Sequence, residues 1–192
     1  MSDRLSRRTA LLIGAAALAA PSLALSQAIE PQVRGGEGVR RNTSTFRSQR
    51  WEDHFERLGS GAILADINSR ALHFWSGDGQ TYRLYPSSVP MTEELTRRGY
   101  TKIVRKRIGP DLTPTASMRE CDPTLPAYME PGPGNPLGTH ALYLTWPAYL
   151  IHGTHDTRKI GRESSSGCIG LFNEHIEELF GLAETNMQVR LL

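Results

Sequence analysis

The sequence predicts a mainly β fold with a few short helices and one long Pro- and Gly-rich loop. Three observations carry this. From Gly61 onward, short runs of β-branched, aliphatic and aromatic residues alternate with Gly, Asn, Asp and Ser, the pattern of strands joined by tight turns. Sustained helical spacing is confined to a few short segments, the clearest after Asn173. Between Gly109 and Gly138 the prolines at 110, 114, 123, 126, 131, 133 and 136 rule out a regular packed element and leave a long loop.

In chain order, Met1 to about Ala28 reads as an export signal, with a basic start, an uncharged run from Thr9 to Leu25, and small residues at Ser26-Gln27-Ala28 as the favoured cleavage site. Ser6-Arg7-Arg8-Thr9-Ala10-Leu11 resembles a twin-arginine address, implying a periplasmic destination. The run is too alanine-rich and short for a convincing membrane span, although an uncleaved anchor is the alternative. Residues 29–58 read as a polar linker ending in a short amphipathic helix, with Trp51, Phe55 and Leu58 on one side. Residues 59–192 form the folded domain. There, 62–67, 71–75 and 81–85 read as an antiparallel meander, 92–98 as a helical turn capped by Thr92, and 101–108 as a strand with one wet face. Two buried strands, 141–146 and 149–152, follow the loop, with His152 expected at a strand end. A strand-like piece at 167–171, a helix capped by Asn173 and a closing strand at 187–192 complete the domain.

The chain has 192 residues and a formal charge of +2. Removing the leader, with Arg4, Arg7, Arg8 and Asp3, leaves basic and acidic residues balanced, so no basic tract argues for nucleic acid. Nothing in the mature region reads as a stable membrane span, and the oligomeric state is left open.

The chemistry concentrates between Ile151 and Leu171. A thiol attacks a carbonyl as thiolate, so Cys168 needs a base, and His152 is the nearest candidate. The small residues Ser165, Ser166 and Gly167 leave backbone N–H groups able to face a developing oxyanion.

His152-Gly153-Thr154 followed by Ser165-Ser166-Gly167-Cys168-Ile169 resembles the motif of the L,D-transpeptidase catalytic domain, the YkuD-like family. Thr113-Pro114-Thr115, Gly134-Asn135-Pro136-Leu137-Gly138 and Ala141-Leu142-Tyr143-Leu144 resemble its upstream segments. The departure is Gly170, where most relatives carry Arg or Asn. The resemblance implies a YkuD-like β-sandwich or barrel over residues 59–192, Cys168 as nucleophile, His152 as base, and the Gly153 carbonyl holding the imidazole tautomer. It also implies oxyanion donors at Gly167, Cys168 and Ser166, peptidoglycan stem peptides as substrate, and no cofactor or metal. Ser165, Tyr143 and Arg162 are further substrate-side candidates; a tyrosine such as Tyr143 is more often a core residue than a substrate platform, and Arg162 is at least as well read as solvated loop charge.

Several rivals stay open at this level. A Cys121–Cys168 disulfide would consume the nucleophile. His152 and His155 lack a third metal ligand nearby. Ser164, Ser165 and Ser166 show no nucleophile-elbow pattern. Water in place of an amine acceptor would make an L,D-carboxypeptidase or amide hydrolase, and a site without turnover would leave a wall-binding module. The Pro-rich loop is expected to wall the substrate groove.

Overall fold

The computed structural model describes residues 47–192, all within one compact unit. The export signal and most of the linker expected from the sequence lie outside the described residues. Ten strands, β1 (Gly61–Asp66), β2 (Ala71–Ser76), β3 (Tyr82–Pro86), β4 (Val89–Pro90), β5 (Gly99–Ile108), β6 (His140–Leu144), β7 (Leu150–Thr154), β8 (Glu163–Ser165), β9 (Ile169–Phe172) and β10 (Gln188–Leu191), are joined by two short α-helices, α1 (Ala116–Cys121) and α2 (Asn173–Leu182). The expected mainly β class is what the structure shows.

Eight strands form one sheet in the order β3-β2-β1-β10-β5-β6-β7-β9, and β4 pairs with β8 in a second, two-stranded one. The sheet nearly closes into a barrel. After β3, the Ser87 N–H donates to the Arg70 carbonyl just before β2, and Ser88 exchanges two backbone hydrogen bonds with Gly170 of β9, so the chain leaving one outer strand pairs with the other. The opening meander is antiparallel as its turn chemistry requires. The parallel pairs β1–β10, β7–β9 and β4–β8 join segments far apart in sequence, which local pattern does not encode.

Side chains alternate across each strand. Ile63, Leu72, Phe74, Leu142, Ile151, Ile169 and Leu171 are fully buried in the main core, joined by Ile176 and Leu179 of α2, which lies against β6, β7 and β9. β1 is buried on both faces, because Ala62 and Leu64 pack outward against Phe55, Leu58 and Trp75. This explains why the helix expected over 51–58 is only a 3-10 turn at Trp51–Asp53: Phe55 and Leu58 are recruited as a cover for β1. The helix expected over 92–98 likewise shrinks to one turn at Glu93–Leu95, with no side-chain cap from Thr92.

The long loop contains α1, a six-residue helix that its proline content hides, started by Thr115 accepting from the Met118 N–H. One buried side chain pins the loop. Asn135 directs Nδ2 at the carbonyls of Pro110, Glu130 and Met129, at 3.0, 3.1 and 3.3 Å, and accepts from the Leu137 N–H at 2.9 Å. Asn173 is the first residue of α2 rather than its cap; its Oδ1 accepts from the Thr139 N–H at 3.1 Å and ties the helix to the end of the loop. No helix among the described residues is long and apolar enough to cross a membrane.

Candidate active site

The register of β6, β7 and β9 builds the site. Tyr143 pairs with Leu150, and Ala141 pairs with His152, which in turn pairs with Gly170. Ile151 pairs with Ile169, so Cys168, one residue before β9, stands beside Leu150. Two adjacent rows on one face result: Tyr143, Leu150 and Cys168, then Ala141, His152, Gly170 and, across the bridge, Ser88. Cys168 and His152 are therefore diagonal neighbours on adjacent strands, a spacing a ring side chain can cross. Both line a cavity of about 470 Å³. His152 is the third of the five residues of β7, not at a strand end as expected, so both its backbone neighbours are held in the ladder.

The imidazole is oriented from behind. His152 Nδ1 lies 2.6 Å from the Gly153 carbonyl oxygen, which holds the proton on Nδ1 and leaves Nε2 as the free base. Burial pushes the imidazole down to about 4, opposed by that carbonyl and reinforced by the Lys159 charge. Gly153 must be glycine because a Cβ there would overlap Asn173 Oδ1, and Gly138, with φ of 64°, would meet the same oxygen and the Gly153 backbone. The two glycines thus pack backbone against backbone behind the histidine, with the Asn173 side chain against both.

Cys168 carries a free thiol, so the disulfide alternative does not describe this state. Its side chain is crowded by Leu137, Ala141 and Leu150, and this burial pushes the thiol up to about 11, moderated by the Leu150 N–H. The thiol donates to the Ala148 carbonyl at 3.5 Å. That carbonyl is presented by a tight turn, Trp146-Pro147-Ala148-Tyr149, closed by the Tyr149 N–H on Trp146 at 3.2 Å, with Ala148 at φ 59° where glycine or asparagine is the usual occupant. At neutral pH the resting pair is thus thiol and neutral imidazole.

The turn before the cysteine is self-braced. Ser165 Oγ donates to the Cys168 carbonyl at 2.5 Å and accepts from the Gly167 N–H at 3.4 Å, so Ser165 shapes the turn as well as lining the cavity. Gly167 has φ of 126° and packs against Tyr149. The Tyr149 hydroxyl donates to the Leu95 carbonyl and accepts from the Arg97 N–H, binding the segment before β5 to this turn.

Tyr143 lines the cavity, half-buried beneath the Arg105 guanidinium, 3.7 Å from its ring centroid. Ser166 is exposed at the rim, whereas Arg162 is exposed and does not line the cavity. The loop supplies the opposite wall through Asp111, Leu112, Thr113, Thr115, Met118 and Leu137. Sequence reasoning missed Lys159, Ser88, Glu94 and Ala148, all on the cavity wall. Ser88 reaches the site through its long-range bridge to Gly170 and Glu94 lies far from the motif in sequence, while Ala148 and Lys159 sit in the connections on either side of β7 and carry no motif. Among the described residues no group of three or more His, Cys, Asp or Glu comes together to hold a metal.

Comparison with known proteins agrees with this architecture. The family model described as the YkuD L,D-transpeptidase catalytic domain matches residues 60–191. The chain is 52% identical over 195 residues, covering 100% of both chains, to an L,D-transpeptidase of Fuscovulum blasticum named for the ATP synthase subunits region. It is 42% identical over 141 residues to the L,D-transpeptidase YbiS of Escherichia coli, covering 71% of this chain and 46% of that protein, so it spans about half of that relative's length. The fold matches L,D-transpeptidase 3 from Mycobacterium tuberculosis with a TM-score of 0.57 at 16% identity, over 69% of this chain and 61% of that one. An L,D-transpeptidase from Mycobacterium smegmatis matches with a TM-score of 0.55 at 19% identity, over 69% and 58%. A free cysteine and an oriented histidine on adjacent strands of this sheet, together with that match over most of the domain, show that the chain belongs to the L,D-transpeptidase catalytic-domain family.

Proposed function

We propose that the protein is a peptidoglycan L,D-transpeptidase that works through a thioester on Cys168. The observation that carries this is the shared cavity face of Cys168 and His152, with His152 Nδ1 committed to the Gly153 carbonyl. In the acylation step Cys168 Sγ attacks the carbonyl on the L-centre of the third residue of a tetrapeptide stem. The thiol proton passes to His152 Nε2 and on to the departing amine; the C–N bond breaks, and D-alanine leaves. In the second step the acceptor amine attacks the thioester, gives its proton to His152, and the C–S bond breaks as the thiol re-forms. The oxyanion is met by the Cys168 N–H and by the Gly167 N–H, which gives up its long 3.4 Å bond to Ser165 Oγ, with Ser166 beside them at the rim. No cofactor takes part. Access to such stems implies export to the periplasm, in keeping with the leader-like start of the sequence.

Amine transfer is preferred to hydrolysis because the family match is to transpeptidases. The test incubates the purified protein with tetrapeptide muropeptides. D-alanine release, a cross-linked product and an acyl adduct seen by intact mass are expected, and Cys168→Ala abolishes all three. Binding without release in both forms would overturn catalysis in favour of a wall-binding module. His152→Gln is expected to slow acylation by roughly 100-fold or more, the contribution of a positioned base. Two structural neighbours are described in complex with imipenem and with a faropenem-derived adduct. Imipenem is thus a second acylating probe for Cys168.

A further inference from the structure

Gly170 departs from the family motif, and the structure shows what takes up the space. It sits between His152 on β7 and Ser88 beyond β9, all three facing the same side. The point where a Cβ would stand at Gly170 is 3.8 Å from His152 Cε1 and would overlap Ser88 Oγ. The absent side chain thus opens a gap that the serine hydroxyl enters from one side and the imidazole edge borders from the other. Ser88 is 4% exposed and fixed by its two backbone hydrogen bonds to Gly170, and it lines the cavity. None of the described residues gives its Oγ a hydrogen-bond partner.

We propose that Ser88 is a positioning residue for His152, its hydroxyl oxygen facing the Cε1–H edge of the ring across the Gly170 gap and favouring the imidazolium that forms when Cys168 gives up its proton. Nδ1 is occupied by the Gly153 carbonyl and Nε2 must stay free for the proton, so the polarised Cε1–H is the one ring donor left for a fixed acceptor. No bond to Ser88 forms or breaks; the proton moves only between Cys168 Sγ and His152 Nε2. The other titratable groups near the ring, Lys159 and Cys168, are untouched by the substitutions below. The inference rests on the cysteine–histidine reading but can fail separately from it.

The test compares wild type with Ser88→Ala, Ser88→Thr and Gly170→Ala by the Cε1–H NMR resonance of His152, assigned through His152→Gln, and by the rate of acylation by imipenem. Ser88→Ala is expected to move the resonance upfield and slow acylation roughly two- to fivefold, the size of one weak hydrogen bond. Ser88→Thr should restore both. Gly170→Ala should reproduce the loss in wild type and add little to Ser88→Ala. Ser87→Ala, beside it but off the cavity, should change neither readout. An unmoved resonance in Ser88→Ala overturns the proposal even if the enzyme acylates normally. A wild type that never acylates overturns the thioester reading, while the resonance still decides the role of Ser88. If Gly170→Ala folds poorly, the Ala and Thr variants of Ser88 decide alone.

Discussion

At the scale of single residues, the resting state of the pair sets the pH behaviour. With the Cys168 thiol pushed up to about 11 and the His152 imidazole down to about 4, neither is charged at neutral pH. On the proposed thioester route, proton transfer then accompanies attack on the substrate rather than preceding it. Alkylation of Cys168 by iodoacetamide in the free protein is accordingly expected to climb about tenfold per pH unit from pH 6 to 9, following the small thiolate fraction. A plateau already reached near pH 6 would show a standing thiolate–imidazolium pair instead. Gly153→Ala is a second test at this scale. Its Cβ must displace Asn173 Oδ1, so destabilisation of about 1–3 kcal/mol is expected, as for overpacked cores, measured by urea unfolding. Weakened acylation should accompany it, because the carbonyl that orients His152 moves.

At the scale of elements, the loop before β6 depends on Asn135. Replacing it with Ala strands three carbonyls and the Leu137 N–H in a buried position, and a loss of about 2–4 kcal/mol is expected, with earlier proteolysis between residues 109 and 138. α2 has a comparable anchor: Lys106 Nζ donates to the Phe180 and Ala183 carbonyls at its C-terminal end, where positive charge is favoured. Lys106→Met keeps the stem over Phe180 but removes the donors, so a lower Tm is expected without a change in the cavity. These anchors show where sequence reading stops. The strands around Ile63, Phe74 and Leu142 were legible because short apolar runs bounded by turn residues report buried strands directly. So were Cys168 and His152, since the motif holds both in one segment. Asn135 was legible as part of a motif but not as a pin, because the carbonyls it holds lie five to 25 positions away in sequence. The pairing of β8 and the place of Ser88 gave no local signal, since both follow from pairing between strands distant in sequence, and Lys159 was one unremarked charge in the connection between β7 and β8.

At the scale of the whole molecule, two buried histidines make stability fall with acid. His73, stacked on Trp75 and bonded to Tyr82, is pushed down to about 4 by burial, as is His152. In the unfolded chain both take up a proton near 6.5, in the native state only near 4, so between these values protons favour unfolding. Stability is expected to be full above pH 6.5 and to decline as pH falls toward 4, seen as a dropping Tm in calorimetry. A Tm that is flat across that window would contradict the burial of both rings. Assembly has its own constraint. β10 lies between β1 and β5 and joins the meander to the half that carries the cysteine and histidine through the strand ladder, the short Ser88–Gly170 bridge being a second backbone tie among the described residues. A nascent chain can pair its first three strands early, but the strand that joins them to β5 comes after every other strand described, so the eight-stranded ladder is not continuous until residue 191 has left the ribosome. A chain cut just before Gln188 should therefore lose the whole fold rather than one edge of it.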